Sequence, residues 1–249
     1  LEKSEVATRP GLNFVDEAAF EHAQHRAVEV QAEGGTLEAG RLRHNMLSSM
    51  PMCFNVFGSL RAQPAFIEVF RQMFDPAATT IESVVCEYRP ATTVLQDRTA
   101  FDAAVTYLDD SGRLVLCGIE TKYTEPFSAK EYTAGSYQQL TEQSGWFVDG
   151  AAEALVKTAT NQLWRNLLLA ADAELHRAAG VDRAWVAVVA LADDPHVAGA
   201  VAGVDEWLKD TARCRAVSLE SIVEAAGAVG LDRWASGFGE RYLPGLDRK

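Results

Sequence analysis

The segment 118-GIETKYTEP-126 places a carboxylate and an ammonium group two residues apart at the end of an apolar run. The residues before it, 113-RLVLCGI-119, are typical of a strand that is buried on both faces. Because side chains alternate across a strand, Glu120 and Lys122 should point the same way from its end. The pair is therefore either an ordinary ion pair or part of a site that performs chemistry.

A predicted hairpin brings a second carboxylate to this pair. Residues 101-FDAAVTYL-108 and 113-RLVLCGIETKY-123 predict two antiparallel strands joined by a tight polar turn at 109–112. Asp102 lies about as far before the turn as Glu120 lies after it, so the two carboxylates should be neighbours. Adjacent carboxylates repel each other unless a cation lies between them. Mg²⁺ suits one or two carboxylates and keeps coordination positions for water and substrate.

The acid-x-Lys triplet by itself is weak evidence. Random placement of the acidic residues and lysines predicts roughly 0.8 such triplets in this composition. The sequence contains a second one, Asp247-Arg248-Lys249, to which we assign no function. The position of Asp102, Glu120 and Lys122 at strand ends favours a functional site over a buried ion-pair cluster, because desolvation usually cancels the Coulombic gain of burying charges.

Composition limits the classes of protein that fit. The chain of 249 residues has a formal net charge of −12 and a pI of about 4.9, which argues against coating nucleic acid by bulk charge. A local cleft with a bound metal ion stays compatible with a phosphate substrate. The four cysteines are widely spaced and predict buried thiols rather than zinc ligands or disulfides. Without a signal peptide pattern or a long apolar run, we expect a cytoplasmic protein that does not bind membranes.

The order of predicted elements indicates an α/β fold with a mixed sheet. Helices are predicted first, then three consecutive strands, a long helix, a buried strand and a closing segment of helix and strand. The predicted helices cover 16–33, Leu37 to Ser49, 64–74, part of 128–147, 152–180 and about 204–211, with one or two at the C-terminus. The predicted strands cover 80–90, 101–108, 113–123, 184–191 and 214–219. We expect a single domain, 1–249, with an N-terminal helical part (1–60), a catalytic core (64–195) and a C-terminal extension (196–249).

The arrangement of strand-Asp, turn and strand-Glu-x-Lys, followed by a long helix and a buried strand, resembles the PD-(D/E)XK nuclease superfamily. The segments 45-NMLSSMPMCFNVFGSL-60, 99-TAFDAAVTY-107, 118-GIETKYTEP-126 and 162-QLWRNLLLA-170 resemble its restriction-endonuclease-like branch. The resemblance covers roughly residues 40 to 195. One departure is Phe101, which stands where the superfamily motif has proline. A further acidic residue found in many members has three candidates here, Glu38, Glu68 and Glu87.

The resemblance implies a restriction-endonuclease-like sheet and metal-dependent hydrolysis of phosphodiester bonds. Asp102, Glu120 and the main-chain carbonyl of Thr121 would hold Mg²⁺ or Mn²⁺. Lys122 would orient or deprotonate the attacking water, or act purely through its charge. Gln162 and Arg165, one turn apart on the long helix, are supporting or substrate-binding candidates, as is Glu87.

The expected partner is nucleic acid, with DNA favoured, and the expected activity is that of a DNA endonuclease of restriction or defence type. Arg41, Arg43 and His44 form the densest basic patch and are candidates to contact DNA. A homodimer would offer one active site for each strand of a DNA duplex. Further candidate contacts follow the catalytic strand: Tyr123, Lys130, Gln138 and Gln139. Two alternatives stay open, a non-catalytic binding module with a nuclease-like fold and a metal-dependent hydrolase of another substrate.

Overall fold

A computed structural model of the protein describes residues 11–95, 99–128 and 130–243, together with Glu2, Glu5 and Arg9. The C-terminal triplet that ends at Lys249 lies outside the described residues. None of the helices in the described part combines the length and the apolar character needed to cross a membrane.

A five-stranded mixed sheet forms the centre of the fold, and its strands lie side by side in chain order. Strands β1, β2 and β3 pair antiparallel, whereas β3, β4 and β5 pair parallel. The predicted α/β fold with a mixed sheet flanked by helices is therefore confirmed. The strands are β1 (Ala78–Tyr88), β2 (Phe101–Asp109), β3 (Leu114–Thr121), β4 (Arg183–Ala190) and β5 (Cys214–Ser218).

Helices cover both faces of this sheet. The α-helices are α1 (Glu17–Ala32), α2 (Ala39–His44), α3 (Ser49–Cys53), α4 (Phe66–Met73), α5 (Gly135–Gln143), α6 (Ala151–Leu155), α7 (Thr158–Leu175), α8 (Pro195–Asp205), α9 (Leu219–Ala228) and α10 (Asp232–Tyr242). A π-helical segment, Phe54–Gly58, continues α3, and short 3-10 helices lie at Ala178–Gly180 and Thr211–Arg213.

Alternation along the strands divides the core into two apolar clusters. Val105 and Cys117 lie in the cluster that includes residues of α1, α4, α9 and α10. Ala104, Leu116 and Val186 lie in the other cluster, which is dominated by α7. Since both sides of β3 and β4 are covered, these strands are apolar almost throughout, as a doubly covered parallel pair requires.

Three predicted helices differ from the structure. The helix predicted from Leu37 to Ser49 is only α2, and Pro51 lies inside α3, where its missing N–H falls among the first four donors, which have no intrahelical partner. The predicted long helix 152–180 is divided between α6 and α7. The prediction of a helix near 204–211 was also wrong. The observed helix, α8, begins earlier, at Pro195, and ends at Asp205, and Leu208 forms a β-bridge with Phe147.

Candidate active site

The ends of β2 and β3 bring the two predicted carboxylates together. Ala103 pairs with Ile119, so Asp102 and Glu120 follow at neighbouring positions on adjacent strands. The Thr121 backbone N–H donates to Asp102 Oδ2 at 2.7 Å, and the Thr121 hydroxyl donates to the same oxygen at 2.8 Å. The orientation of the Asp102 carboxylate is therefore fixed by the residue that follows Glu120.

A glycine in β3 makes room for the residue that precedes Asp102. A Cβ atom at Gly118 would lie 2.4 Å from the ring of Phe101, well inside van der Waals contact. The ring therefore packs over the bare backbone of Gly118, and the proline that the superfamily motif carries at position 101 is replaced by a buried aromatic. A side chain at position 118 would displace this ring.

Glu120 is almost completely enclosed by polar partners. Its side-chain oxygen Oε1 lies 2.8 Å from Lys122 Nζ and accepts a 2.5 Å hydrogen bond from Gln162 Nε2. Its other oxygen, Oε2, accepts a 2.7 Å hydrogen bond from Asn166 Nδ2. Glu120 exposes 3% of its surface and Asn166 exposes 1%, so each hydrogen bond is made away from water. Two carboxamides from α7 and the ammonium group of Lys122, the residue that follows β3, thus hold one carboxylate.

Lys122 keeps its proton in this arrangement. Its backbone N–H donates to Val189 of β4 at 2.9 Å, and its Nζ donates to Gln162 Oε1 at 3.3 Å. Burial alone would lower the pKa of Lys122, but the negative charges of Glu120 and Asp102 outweigh burial and raise its pKa. Of the two roles considered for this lysine, the carboxylates around it favour an electrostatic one over a base.

Glu87 is a third acidic group close enough to respond to the charges of Asp102 and Glu120. Burial, and then the charges of Asp102 and Glu120, raise the pKa of Glu87 to about 8. Its backbone has a φ of +51°, which is rare for a side chain of this size. Arg26 of α1 holds the backbone there, because its Nε donates to the Cys86 carbonyl at 2.8 Å and its Nη2 donates to the Glu87 carbonyl at 2.9 Å.

The other two candidates for an additional acid have local roles. Glu38 is exposed and caps α2, since its carboxylate accepts hydrogen bonds from the backbone N–H groups of Gly40 and Arg41. Glu68 is exposed on α4, with Arg71 3.7 Å away. Glu87 is the candidate whose pKa responds to the charges of the site.

The supporting candidates on α7 point to different partners. Gln162 bridges Glu120 and Lys122, and its Oε1 also accepts a 2.8 Å hydrogen bond from the Ser128 N–H. Arg165 instead donates to the hydroxyl groups of Tyr137, at 3.2 Å, and Thr99. Sequence reasoning did not identify Asn166. Its spacing of four residues from Gln162, which places both on one helix face, was the available signal.

The predicted nucleic-acid contacts take up several different positions. Arg41 forms a 3.2 Å ion pair with Glu125, in the segment after Lys122, and Glu125 also accepts a hydrogen bond from the Ser49 N–H. Tyr123 is half-buried against Tyr242 and donates to its carbonyl. The remaining candidates, Arg43, His44, Lys130, Gln138 and Gln139, are exposed or half-exposed, and their role in binding stays a prediction.

The donor set fits a hard divalent cation. Burial and the charge of Glu120 raise the pKa of Asp102 to about 7, so two carboxylates repel each other here and a cation would relieve the repulsion. Both bonds from Thr121 fall on Oδ2, and Oδ1 of Asp102 accepts no hydrogen bond from any described residue. No group of three or more His, Cys, Asp or Glu within the described ranges is arranged to hold a metal ion. The predicted donors are two carboxylates and a carbonyl.

Asp102 and Glu87 are the more exposed acids of the site. Lys122 exposes only 7% of its surface and Glu120 is covered by α7, whereas Asp102 and Glu87 are half-buried. A groove of about 290 Å³ is lined by residues that include Glu87, Arg89, Gly35 and Thr36. Glu87 thus lines this groove, whereas Asp102 and Glu120 do not.

The comparisons with known proteins agree with this geometry. The family model described as PD-(D/E)XK nuclease superfamily matches residues 2–244, nearly the whole chain. No curated protein and no solved structure gives a significant match.

Proposed function

Because the chain belongs to the PD-(D/E)XK nuclease superfamily, we propose that it hydrolyses phosphodiester bonds of nucleic acid with the help of a divalent metal ion. The narrower proposal is a DNA endonuclease of restriction or defence type. The observation that carries it is the meeting of Asp102, Glu120 and Lys122 at the ends of two adjacent strands, with Lys122 Nζ 2.8 Å from Glu120.

In this proposal Asp102, Glu120 and the carbonyl of Thr121 hold Mg²⁺ or Mn²⁺, and Glu87 is the additional acid. When bound, the ion supplies an activated water and neutralises charge on the phosphate. Asp102 Oδ1 would bind the cation, since Oδ2 already accepts two hydrogen bonds from Thr121. Burial, and then repulsion between the carboxylates, raise the pKa of Asp102 and Glu87, and both effects would be relieved by a cation.

Protonated Lys122 donates to a non-bridging oxygen of the scissile phosphate and stabilises the charge that develops on the pentacovalent phosphorus. Gln162 keeps this lysine in place, because its Oε1 accepts from both Lys122 and the Ser128 N–H. Its Nε2 then donates to Glu120, so a single carboxamide orients the acid and the ammonium group together. Groups held in this way need little reorganisation during the reaction.

The proposal is tested by nicking of supercoiled plasmid in the presence of Mg²⁺ or Mn²⁺. Asp102→Ala and Lys122→Ala should each lower the rate by about 100-fold or more, the range found for single electrostatic groups in active sites. Lys209→Ala, at an exposed lysine, is the matched control and should nick like the wild type. Far-UV circular dichroism shows whether each variant is folded.

Two outcomes would refute catalysis at this site. The first is nicking that persists in folded Asp102→Ala protein at the wild-type rate, which would identify a contaminating nuclease. The second is the absence of a calorimetric signal when Mg²⁺ or Mn²⁺ is titrated into the wild-type protein.

A second candidate function is a nucleic-acid or protein-binding module that has kept the fold without the reaction. The observation in its favour is that Glu120 already has an ammonium group and two carboxamides on its oxygens. The acidic net charge of −12 points in the same direction. This candidate predicts binding that neither a chelator nor Asp102→Ala changes.

A further inference from the structure

An exposed aromatic ring lies beside the candidate active site. Tyr132 exposes 40% of its surface, a large fraction for a side chain of this type. The guanidinium carbon of Arg165 lies 4.0 Å from the centre of its ring. Because the guanidinium covers one side of the ring, the exposed surface lies on the other side and along the edge.

The backbone that carries this ring is fixed by a buried carboxamide. The Tyr132 N–H donates to Asn161 Oδ1 at 3.0 Å, and Asn161 Nδ2 donates to the Tyr132 carbonyl at 3.1 Å. Asn161 is fully buried and also donates to the Val156 carbonyl at 2.9 Å. Tyr132 is therefore presented on a backbone that is tied to α7, and its ring loses little freedom when it binds a ligand.

The guanidinium group of Arg165, which lies against the ring, is also fixed in position. Arg165 donates to the hydroxyl groups of Tyr137 and Thr99, so its guanidinium is held in position from two sides. A guanidinium over an aromatic face attracts the ring electrostatically. The Tyr132 ring and the Arg165 guanidinium thus form a platform, and the exposed part of the ring is its accessible surface.

This platform is close to the reacting groups. Asn161, which holds Tyr132, is followed in α7 by Gln162, which contacts both Glu120 and Lys122. Arg165 follows Gln162 by three residues, and residues three apart on a helix have Cβ atoms about 5–6 Å apart. The platform therefore lies one helical turn from the side chain that orients Glu120 and Lys122.

We propose that Tyr132 stacks on an unpaired nucleobase of the substrate strand, close to the scissile phosphate. Stacking suits this chain, because its net charge of −12 offers no bulk attraction for phosphates, whereas every base has a neutral π-face. The base can belong to a single strand or be turned out of a duplex. This inference rests on the proposed nucleic-acid function and adds to it the state of the base that is bound.

The test measures binding of labelled oligonucleotides in the presence of a chelator, which prevents metal-dependent cleavage. A series of single strands carries one abasic site at each successive position, and each is titrated with wild-type and Tyr132→Ala protein. We expect one position at which removal of the base weakens wild-type binding about tenfold, the scale of one aromatic–base stack. Tyr132→Ala should weaken binding of the intact strand by the same factor. This variant should bind the intact strand and the strand that is abasic at that position with the same affinity.

Three control variants separate stacking from structure. Tyr132→Phe keeps the ring and should bind like the wild type. Tyr132→Leu keeps apolar bulk over Arg165 without a π-face and should bind like Tyr132→Ala. Leu175→Ala removes a side chain that is 43% exposed at the far end of α7 and should have no effect. Duplexes with and without a mismatch at the sensitive position show whether the base comes from a single strand or is turned out of a helix.

The inference is overturned if Tyr132→Ala weakens intact and abasic strands equally, or if wild-type protein binds no oligonucleotide. Its failure differs from failure of the proposed function. If the protein nicks DNA in a metal-dependent way but Tyr132 shows no coupling to a base, the nuclease proposal stands and the stacking proposal is wrong. If Tyr132 is coupled to a base at one position but the protein does not nick DNA, the stacking proposal stands and the catalytic proposal is wrong.

Discussion

Replacing Asp102 with asparagine should stabilise the folded protein at neutral and higher pH, although it removes a candidate metal ligand. Asparagine keeps the shape of the side chain and an oxygen that can accept the hydrogen bonds from Thr121. It removes a charge that burial and Glu120 disfavour, which is why the pKa of Asp102 is raised from 3.8 to about 7. The native state therefore holds a proton that the unfolded chain has already released above about pH 4.

The sign of the pH dependence follows from this difference. Between about pH 4 and about pH 7 the native state binds more protons than the unfolded state, so the free energy of unfolding of the wild type falls as pH rises. At about 1.4 kcal/mol for each pH unit, the full contribution of Asp102 has an upper limit of about 4 kcal/mol. Asp102 is half-buried and its charge is partly screened, so the expected stabilisation of Asp102→Asn above pH 7 is ~1–3 kcal/mol.

Urea unfolding of wild-type and Asp102→Asn protein, followed by circular dichroism across this pH range, measures the difference directly. The two curves should meet near pH 4 and separate as pH rises, and Mg²⁺ should narrow the gap by stabilising only the wild type. Asp109→Asn is a control in which the free energy of unfolding should change in the opposite direction. Burial alone would raise the pKa of Asp109, but hydrogen bonds from Ser111 and Arg113 lower it, so this variant should lose stability above pH 4. A variant at Asp102 that is less stable than wild type at every pH, by a constant amount, would refute the reasoning.

Three further variants test the architecture of the site. Gly118→Ala puts a methyl group against the ring of Phe101 and should lower the free energy of unfolding by ~1–3 kcal/mol in a urea titration; unchanged stability would mean that the Phe101 ring moves aside at little cost. Arg26→Met removes two hydrogen bonds to the backbone at Cys86 and Glu87 and should cost ~2–4 kcal/mol, with faster hydrogen exchange at the end of β1; exchange that matches the wild type would contradict this role. Asn166→Leu leaves one oxygen of Glu120 without its buried donor and should lower the nicking rate more than it raises KM; a change in KM alone would indicate a role in substrate binding instead.

The hairpin and its charges could be predicted because they depend on neighbours in the chain. The tight turn at 109–112 fixes how 101–108 pairs with 113–123, so Asp102 and Glu120, which lie about equally far from the turn, meet. The start of α1 near residue 16 could be predicted for the same reason, because Asp16 caps the helix by accepting from the Ala19 N–H, three residues away.

Helix ends were less accurately predicted where apolar spacing was ambiguous. Trp207 and Leu208 have helical spacing after Val204, but Leu208 forms a β-bridge with Phe147, and both residues pack in the same apolar cluster as Phe147. Pro51 lies just beyond the predicted helix end at Ser49, but it does not prevent a helix there, because a proline in the first turn of α3 costs nothing.

What the sequence by itself determined is the identity of the groups around Lys122: their types, their order along the strands and the turn that pairs them. What only the tertiary structure decided is which distant side chains join them. The choice of Glu87 depends on Arg26, about sixty residues earlier, and the selection of Asn166 and the presentation of Tyr132 depend on how α7 packs on the sheet. Local pattern follows from backbone geometry over a few residues, whereas these contacts depend on the packing of segments that are far apart in the chain.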